Sequence, residues 1–205
     1  MPLVYQQNIN ASSRMGVWHI AEEEAFFLEQ VPLQRSITHA HKRLQHLAGR
    51  LLLKELFPSF PVTLIRVADT RKPFLPDEPY HFSISHCGDY AAAIVSTDHR
   101  VGVDIELVDE KIRRLTGKFT GPAEQVLLTA GSFTNTATLI WSIKESVFKW
   151  HSIGGVDFSE DIRIQELRGD ATEGHARVLF RGDTQLEVHY LHFNNNYLTW
   201  VLTNA

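Results

Sequence analysis

The chain is short of the features that would place it in an extreme class. A single cysteine, Cys87, stands among 205 residues. That excludes an internal disulfide and a cysteine-cluster metal site and fits a reducing compartment. No uninterrupted apolar stretch approaches the ~20 residues that a bilayer-crossing helix needs. The opening segment, MPLVYQQNINASSRMGVW, lacks a basic stretch followed by an apolar run, so no signal peptide is expected. A cytoplasmic protein with no membrane partner is the expectation. Basic excess is missing too: 20 Lys and Arg face 24 Asp and Glu, a formal net charge of −4, whereas nucleic-acid binders usually carry a basic surplus. Low-complexity tracts and evident linkers are absent. What is present is an ordinary globular composition, 43% hydrophobic and 21% charged, at a length fit for one large domain or two of about 100 residues.

Helical and strand-like periodicities alternate along the chain. Gly16–Ile20 reads as a short strand and Ala21–Glu29 as an acidic helical turn or two. Over Ser36–Phe57, Leu44, Leu47, Leu51, Leu52 and Leu56 keep one apolar side of a long helix that Pro58 ends. Its other side carries Lys42, Arg43, His46, Arg50 and Lys54, either a solvated face or an anion-binding one. Val62–Val67 predicts a strand, followed by a proline-punctuated loop through Arg71, Lys72 and Pro73. Strands are expected at His81–Ser85, Tyr90–Thr97 and Val101–Leu107, with turns at Gly88-Asp89 and Asp98-His99-Arg100. Helices follow at about Asp109–Thr116, Pro122–Thr129 and Thr136–His151, then strands over Ile162–Leu167, Ala176–Phe180, Gln185–Phe193 and Tyr197–Thr203. Tyr90–Thr97 and Tyr197–Asn204 enter their strands alike, each after a His-Phe pair, His81-Phe82 and His192-Phe193. The expectation is an α+β fold of two similar lobes, 1–100 and 101–205, each with helices packed on a small antiparallel sheet.

Three segments carry candidate chemistry. In Gly102-Val-Asp104-Ile-Glu106 the acids project from one face of a strand, ~6.5–7 Å apart along it. They repel unless a cation lies between them, and hard oxygen ligands suit magnesium, or manganese; the alternative is a solvated edge strand. In Trp141-Ser-Ile-Lys144-Glu145-Ser-Val-Phe-Lys149 the residues 141, 145 and 149 stack on one side of a helix beside a buried stripe. Glu145 and Lys149 form either an exposed helix pair or a third metal carboxylate with a phosphate-binding lysine, Lys144 adding further charge. In Phe82-Ser-Ile-Ser85-His86-Cys87-Gly88 a hydroxyl, an imidazole and a glycine meet at a strand end. That is a phosphate-binding corner or ordinary turn chemistry. A His86–Cys87 nucleophile is disfavoured because strand neighbours point apart.

Taken together and in order, these segments resemble the signature set of the 4′-phosphopantetheinyl transferase superfamily: Phe-x-x-Ser-His-x-Gly, Gly-x-Asp-x-Glu and Trp-x-x-Lys-Glu-x-x-x-Lys. Arg71-Lys72-Pro73 resembles its Lys-Pro element and His46-Leu-Ala-Gly-Arg50 the basic helix before it. The length resembles the monomeric, two-lobed type that activates synthetases such as surfactin synthetase. The resemblance implies an active site at the lobe junction, with Asp104, Glu106 and Glu145 holding magnesium. It implies that Arg50, Lys72, Ser85, His86 and Lys149 contact coenzyme A phosphates, His86 at the 3′-phosphate. It further implies a reaction in which phosphopantetheine passes from coenzyme A to a serine of an apo acyl or peptidyl carrier protein, releasing 3′,5′-bisphosphoadenosine. Glu145, directly or through a water, would be the base and Lys149 would steady the leaving phosphate. The sequence does not choose among fatty-acid, polyketide, nonribosomal-peptide and lysine-pathway carriers. An acidic carrier would meet Lys111, Arg113, Arg114 and Lys118, which otherwise read as a solvated loop. The rival readings are a metal-dependent nuclease or phosphohydrolase and a carrier-binding module without activity.

Overall fold

The computed structural model describes residues 2–70, 72–129 and 131–205; Arg71, from the expected Lys-Pro element, lies outside them. Two units separate along the chain, Met1–Val101 with Asn204–Ala205, and Gly102–Thr203. In keeping with the α+β expectation, each is built of helices on an antiparallel sheet. No helix among the described residues is long and apolar enough to cross a membrane.

The first unit holds β1 (Leu3–Asn8), β2 (Ser13–His19), α1 (Glu24–Leu28), α2 (Ala40–Leu56), β3 (Arg66–Val67), β4 (Pro73–Phe74), β5 (His81–Cys87) and β6 (Tyr90–Ser96). Its main sheet runs β1-β2-β6-β5, every pair antiparallel. Gly88, at φ +53, takes the left-handed turn conformation between β5 and β6. The small side chains Ala91 and Ala93, fully buried, give α2 room to lay Leu47, Ala48, Leu51 and Leu52 on this sheet. Helix α2 begins at Ala40, later than the expected Ser36. The reason is local: the Arg43 guanidinium donates to the carbonyls of Ile37 and Thr38 and pairs with Glu24, holding that stretch outside the helix. The expected strand at Val62–Val67 is instead a 3₁₀ turn, Val62–Leu64, followed by the short β3. The Gln34 amide takes the carbonyls of Val62 and Thr63. Strand β1, half-buried and exposed by turns, has no expected counterpart.

The second unit follows with β7 (His99–Leu107), α3 (Pro122–Leu127), α4 (Phe133–His151), β8 (Ile162–Gly169), β9 (Glu173–Phe180), β10 (Thr184–Phe193) and β11 (Asn196–Asn204). Its sheet order is β7-β11-β10-β9-β8. Asn194 and Asn195 both have positive φ, 45 and 60, the paired left-handed geometry of a two-residue hairpin turn that asparagine tolerates. Helix α4 buries Ile140, Ile143 and Val147 in one core with Val178, Val188 and Val201 of the sheet. The expected helix at Asp109–Thr116 is two short 3₁₀ turns, Glu110–Arg114 and Thr116–Lys118. The Asp109 carboxylate caps the first by accepting from the Lys111 amide, 2.9 Å away.

One glycine sets the distance between β7 and α4. A Cβ built on Gly102 would lie 2.1 Å from the Ser146 carbonyl and 2.7 Å from the Trp150 amide nitrogen. Only glycine lets the helix backbone come this near, and the next residues on that face of β7 are Asp104 and Glu106.

Candidate active site

That close crossing brings the acids of β7 under α4. Asp104 is 1% exposed, a burial that a carboxylate withstands only with strong partners. One oxygen accepts from Lys149 Nζ at 2.6 Å and the other from the Ser142 hydroxyl at 2.9 Å. Two residues on, Glu106 accepts from the Trp141 indole N–H at 3.1 Å. Burial, and then the negative charge of Asp104, push the Glu106 carboxyl up to about 7. The same causes in the same order raise Glu145 to about 7, with Lys149 pulling the other way. The motif acids thus share one electrostatic site with a single lysine.

Three carboxylates offer the hard oxygen ligands that a divalent cation takes, and their mutual repulsion is what such a cation relieves. Among the described residues no three His, Cys, Asp or Glu side chains already stand as a finished metal cage. Asp104 is turned instead to Lys149 and Ser142. By donor chemistry the set suits magnesium; by geometry it is a site of charge held open by an ammonium.

Lys144 departs from its expected role. It is 0% exposed and directs its ammonium away from solvent, to Glu124 Oε2 at 2.7 Å and to the carbonyls of Phe158 and Ile162 at 2.8 and 2.6 Å. All its N–H donors are thereby used, so it is no phosphate ligand. The sequence signal was ambiguous because Lys144 and Lys149 sit on one helix, five positions apart, and only the packing assigns one inward.

The basic stripe of α2 also divides. Lys42 and Lys54 are exposed, whereas His46 and Arg50 are 7% and 6% exposed. Arg50 Nη1 donates to His46 Nδ1 at 3.1 Å. Arginine cannot accept, so the neutral imidazole carries its proton on Nε2, a buried atom with no hydrogen-bond partner among the described residues. Burial first, then the charges of Arg50, Arg35 and His86, depress the His46 pKa to about 3. Arg50 is pulled down to about 10 by burial and Arg35, and stays a cation. Arg35 is a member of this cluster that its loop position hid in the sequence. His86 is exposed on β5, next to the buried Ser85. Lys72 lies with Arg100 and Glu78; burial, then Arg100, lowers its pKa to about 8. Cys87 is half-buried and in no disulfide.

With these two groups of residues described, comparison with known proteins gives them a family. Residues 100–202 match the 4′-phosphopantetheinyl transferase superfamily. The chain is similar to enterobactin synthase component D of Escherichia coli K12, 35% identical over 143 residues, covering 64% of this chain and 68% of that protein. It is also similar to the 4′-phosphopantetheinyl transferase AcpT of Escherichia coli O157:H7, 33% identical over 76 residues, 37% of this chain and 38% of that one. The holo-acyl-carrier-protein synthase structure from Thermotoga maritima aligns at 20% identity with a TM-score of 0.40, over 50% of this chain and 61% of that chain. The chain belongs to the 4′-phosphopantetheinyl transferase superfamily. The reaction of that family moves the phosphopantetheine arm of coenzyme A onto a carrier protein.

Proposed function

We propose that this chain performs the transfer with magnesium held by Asp104, Glu106 and Glu145, and that Arg50, Lys72, Ser85, His86 and Lys149 receive the phosphates of coenzyme A. The observation that carries the reading is the meeting of Asp104 and Glu106 of β7 with Glu145 and Lys149 of α4, Asp104 being buried between Lys149 and Ser142. When bound, the cation supplies positive charge against the pyrophosphate of coenzyme A. The protein side chains do the rest. Glu145, directly or through a water, takes the proton of the carrier serine hydroxyl. The serine oxygen bonds to the phosphorus that bears pantetheine, the bond from that phosphorus to the 3′,5′-bisphosphoadenosine oxygen breaks, and Lys149 offsets the charge that collects there.

The buried N–H of His46, without a hydrogen-bond partner among the described residues, and the cationic Arg50 beside it support an anion at the α2 cluster, since an unpaired buried donor is costly. The aromatic cavity around Trp141 supports a place for the uncharged pantetheine arm: its Trp141 wall is the side chain that holds Glu106. A monomer acting on an acidic carrier through Lys111, Arg113, Arg114 and Lys118 completes the reading. Intact mass after incubation with coenzyme A, magnesium and a panel of apo-carriers tests it. A gain of one phosphopantetheine arm is expected, lost when magnesium is chelated. No gain on any carrier, or full activity in chelator, overturns it.

A further inference from the structure

We propose that Lys144 and Glu124 form a positioning pair for the transfer, acting through the aromatic cavity beside Glu106 rather than by touching a phosphate. The ammonium of Lys144 has three N–H donors, and each is spent: on Glu124, on the Phe158 carbonyl and on the Ile162 carbonyl. Glu124, 2% exposed, accepts the first of these on Oε2. Its Oε2 also accepts from the Gly121 amide at 2.9 Å, and its Oε1 from the Ile164 amide at 2.8 Å. One buried ion pair therefore ties α4, the start of α3, the segment around Phe158 and the start of β8.

What these ties reach is the cavity. It is an open cavity of about 350 Å³, walled by Leu115, Phe119, Trp141, Val156 and Phe158 with Lys118 and Asp157 also lining it. Phe119 precedes Gly121, the residue whose amide Glu124 holds. Phe158 is the residue whose carbonyl Lys144 holds, and its ring lies 5.4 Å from Trp141 and 5.5 Å from Phe148. Trp141, Lys144 and Phe148 share one face of α4 at three- and four-residue spacing, so Phe158 is held through its carbonyl by Lys144 and through its ring by Trp141 and Phe148. The segment leading to it has little stiffness of its own: Ser152, Gly154 and Gly155 all have positive φ. Trp141, another of its walls, donates to Glu106. The pair thus fixes two walls of a cavity whose third wall is bonded to a candidate metal ligand. The ion pair is buried, so removing either partner alone would leave an uncompensated charge in the interior.

This inference rests on the reading of the chain as a transferase with an arm-binding cavity. The test is the double variant Lys144→Met/Glu124→Gln, which leaves no buried charge unpaired. Calorimetry measures its affinity for 3′,5′-bisphosphoadenosine, which has the phosphates and lacks the arm, and kinetics measure transfer from coenzyme A per folded molecule. Bisphosphoadenosine affinity within about twofold of wild type, with kcat/KM down by about tenfold or more, is expected of a lost wall. A comparable loss of bisphosphoadenosine affinity would make Lys144 a phosphate contact, and unchanged kcat/KM would make the pair structural only; either overturns the proposal. Should the double variant not fold, Phe158→Ala carries the same test, since the pair works through that ring; wild-type kinetics in it overturn the proposal. Wild-type protein inactive on every carrier would count against the transferase reading instead.

Discussion

His46 and Glu145 are each buried against their charge, and they give stability opposite slopes with pH. His46 has a folded pKa near 3, below its unfolded value of ~6.5. Between these values the unfolded chain binds more protons, so stability falls as pH drops. Glu145, raised to about 7, binds its proton more readily in the folded state, so its contribution weakens stability as pH rises through that range. His46→Gln should remove the acid-side loss, an effect of about 3 kcal/mol between pH 7 and pH 4. Glu145→Gln should raise stability at pH 7 without metal by roughly 1–2 kcal/mol, allowing for partial exposure. It should also abolish any magnesium-dependent rise in Tm; urea titration across pH and melting with and without magnesium measure both. A Glu145→Gln protein that magnesium still stabilises would remove Glu145 from the metal site. At this scale the sequence was most legible where motif residues carry charge on a fixed period: Asp104, Glu106 and Glu145 stand as strand and helix spacing placed them. It was least legible for Lys144, Arg35 and Ser142, whose meaning depends on which neighbour packs over them.

Elements were legible in proportion to their periodicity. Helices α2 and α4 and strands β5 to β11 lie close to where apolar spacing and turn residues put them. Residues 62–67 are mostly apolar, as a strand would be, but give the carbonyls of Val62 and Thr63 to the Gln34 amide, a partner that no local pattern reveals; residues 109–116 offer only Ile112 and Leu115 as apolar side chains and close instead as turns capped by Asp109. Gly102 belongs to the motif, yet its role is visible only once α4 lies across it. Gly102→Ala should cost about 3 kcal/mol or more, because helix backbone cannot step aside as a side-chain tip can. Transfer should fall with it; denaturant melts and the kinetics measure the two. Stability within about 0.5 kcal/mol of wild type would mean that the crossing has slack.

For the molecule as a whole, net charge of −4 makes the exposed Lys111, Arg113, Arg114 and Lys118 a local exception. Lys111 and Arg113 already face Asp109 and Glu110, which leaves Arg114 and Lys118 the better placed to meet an acidic carrier. Arg114→Glu should lower kcat/KM for the carrier by about threefold or more at low salt, with the gap narrowing as salt is added. Lys118 is left in place, because it also lines the cavity beside Trp141. The KM for coenzyme A should stay put. A coenzyme A effect of equal size would place Arg114 at the nucleotide instead.

The pairing order of the second sheet has a consequence in time. Strands β8, β9 and β10 are linked hairpin to hairpin, but β7 joins the sheet through β11, whose residues come last among its strands. On a ribosome the segment bearing Asp104 and Glu106 therefore emerges early and waits through the synthesis of every strand between. Closing so long a loop adds only slowly to the entropic cost, but it sets an order of events. The acids reach their final address last, after the hairpins that will support them have had the chance to form.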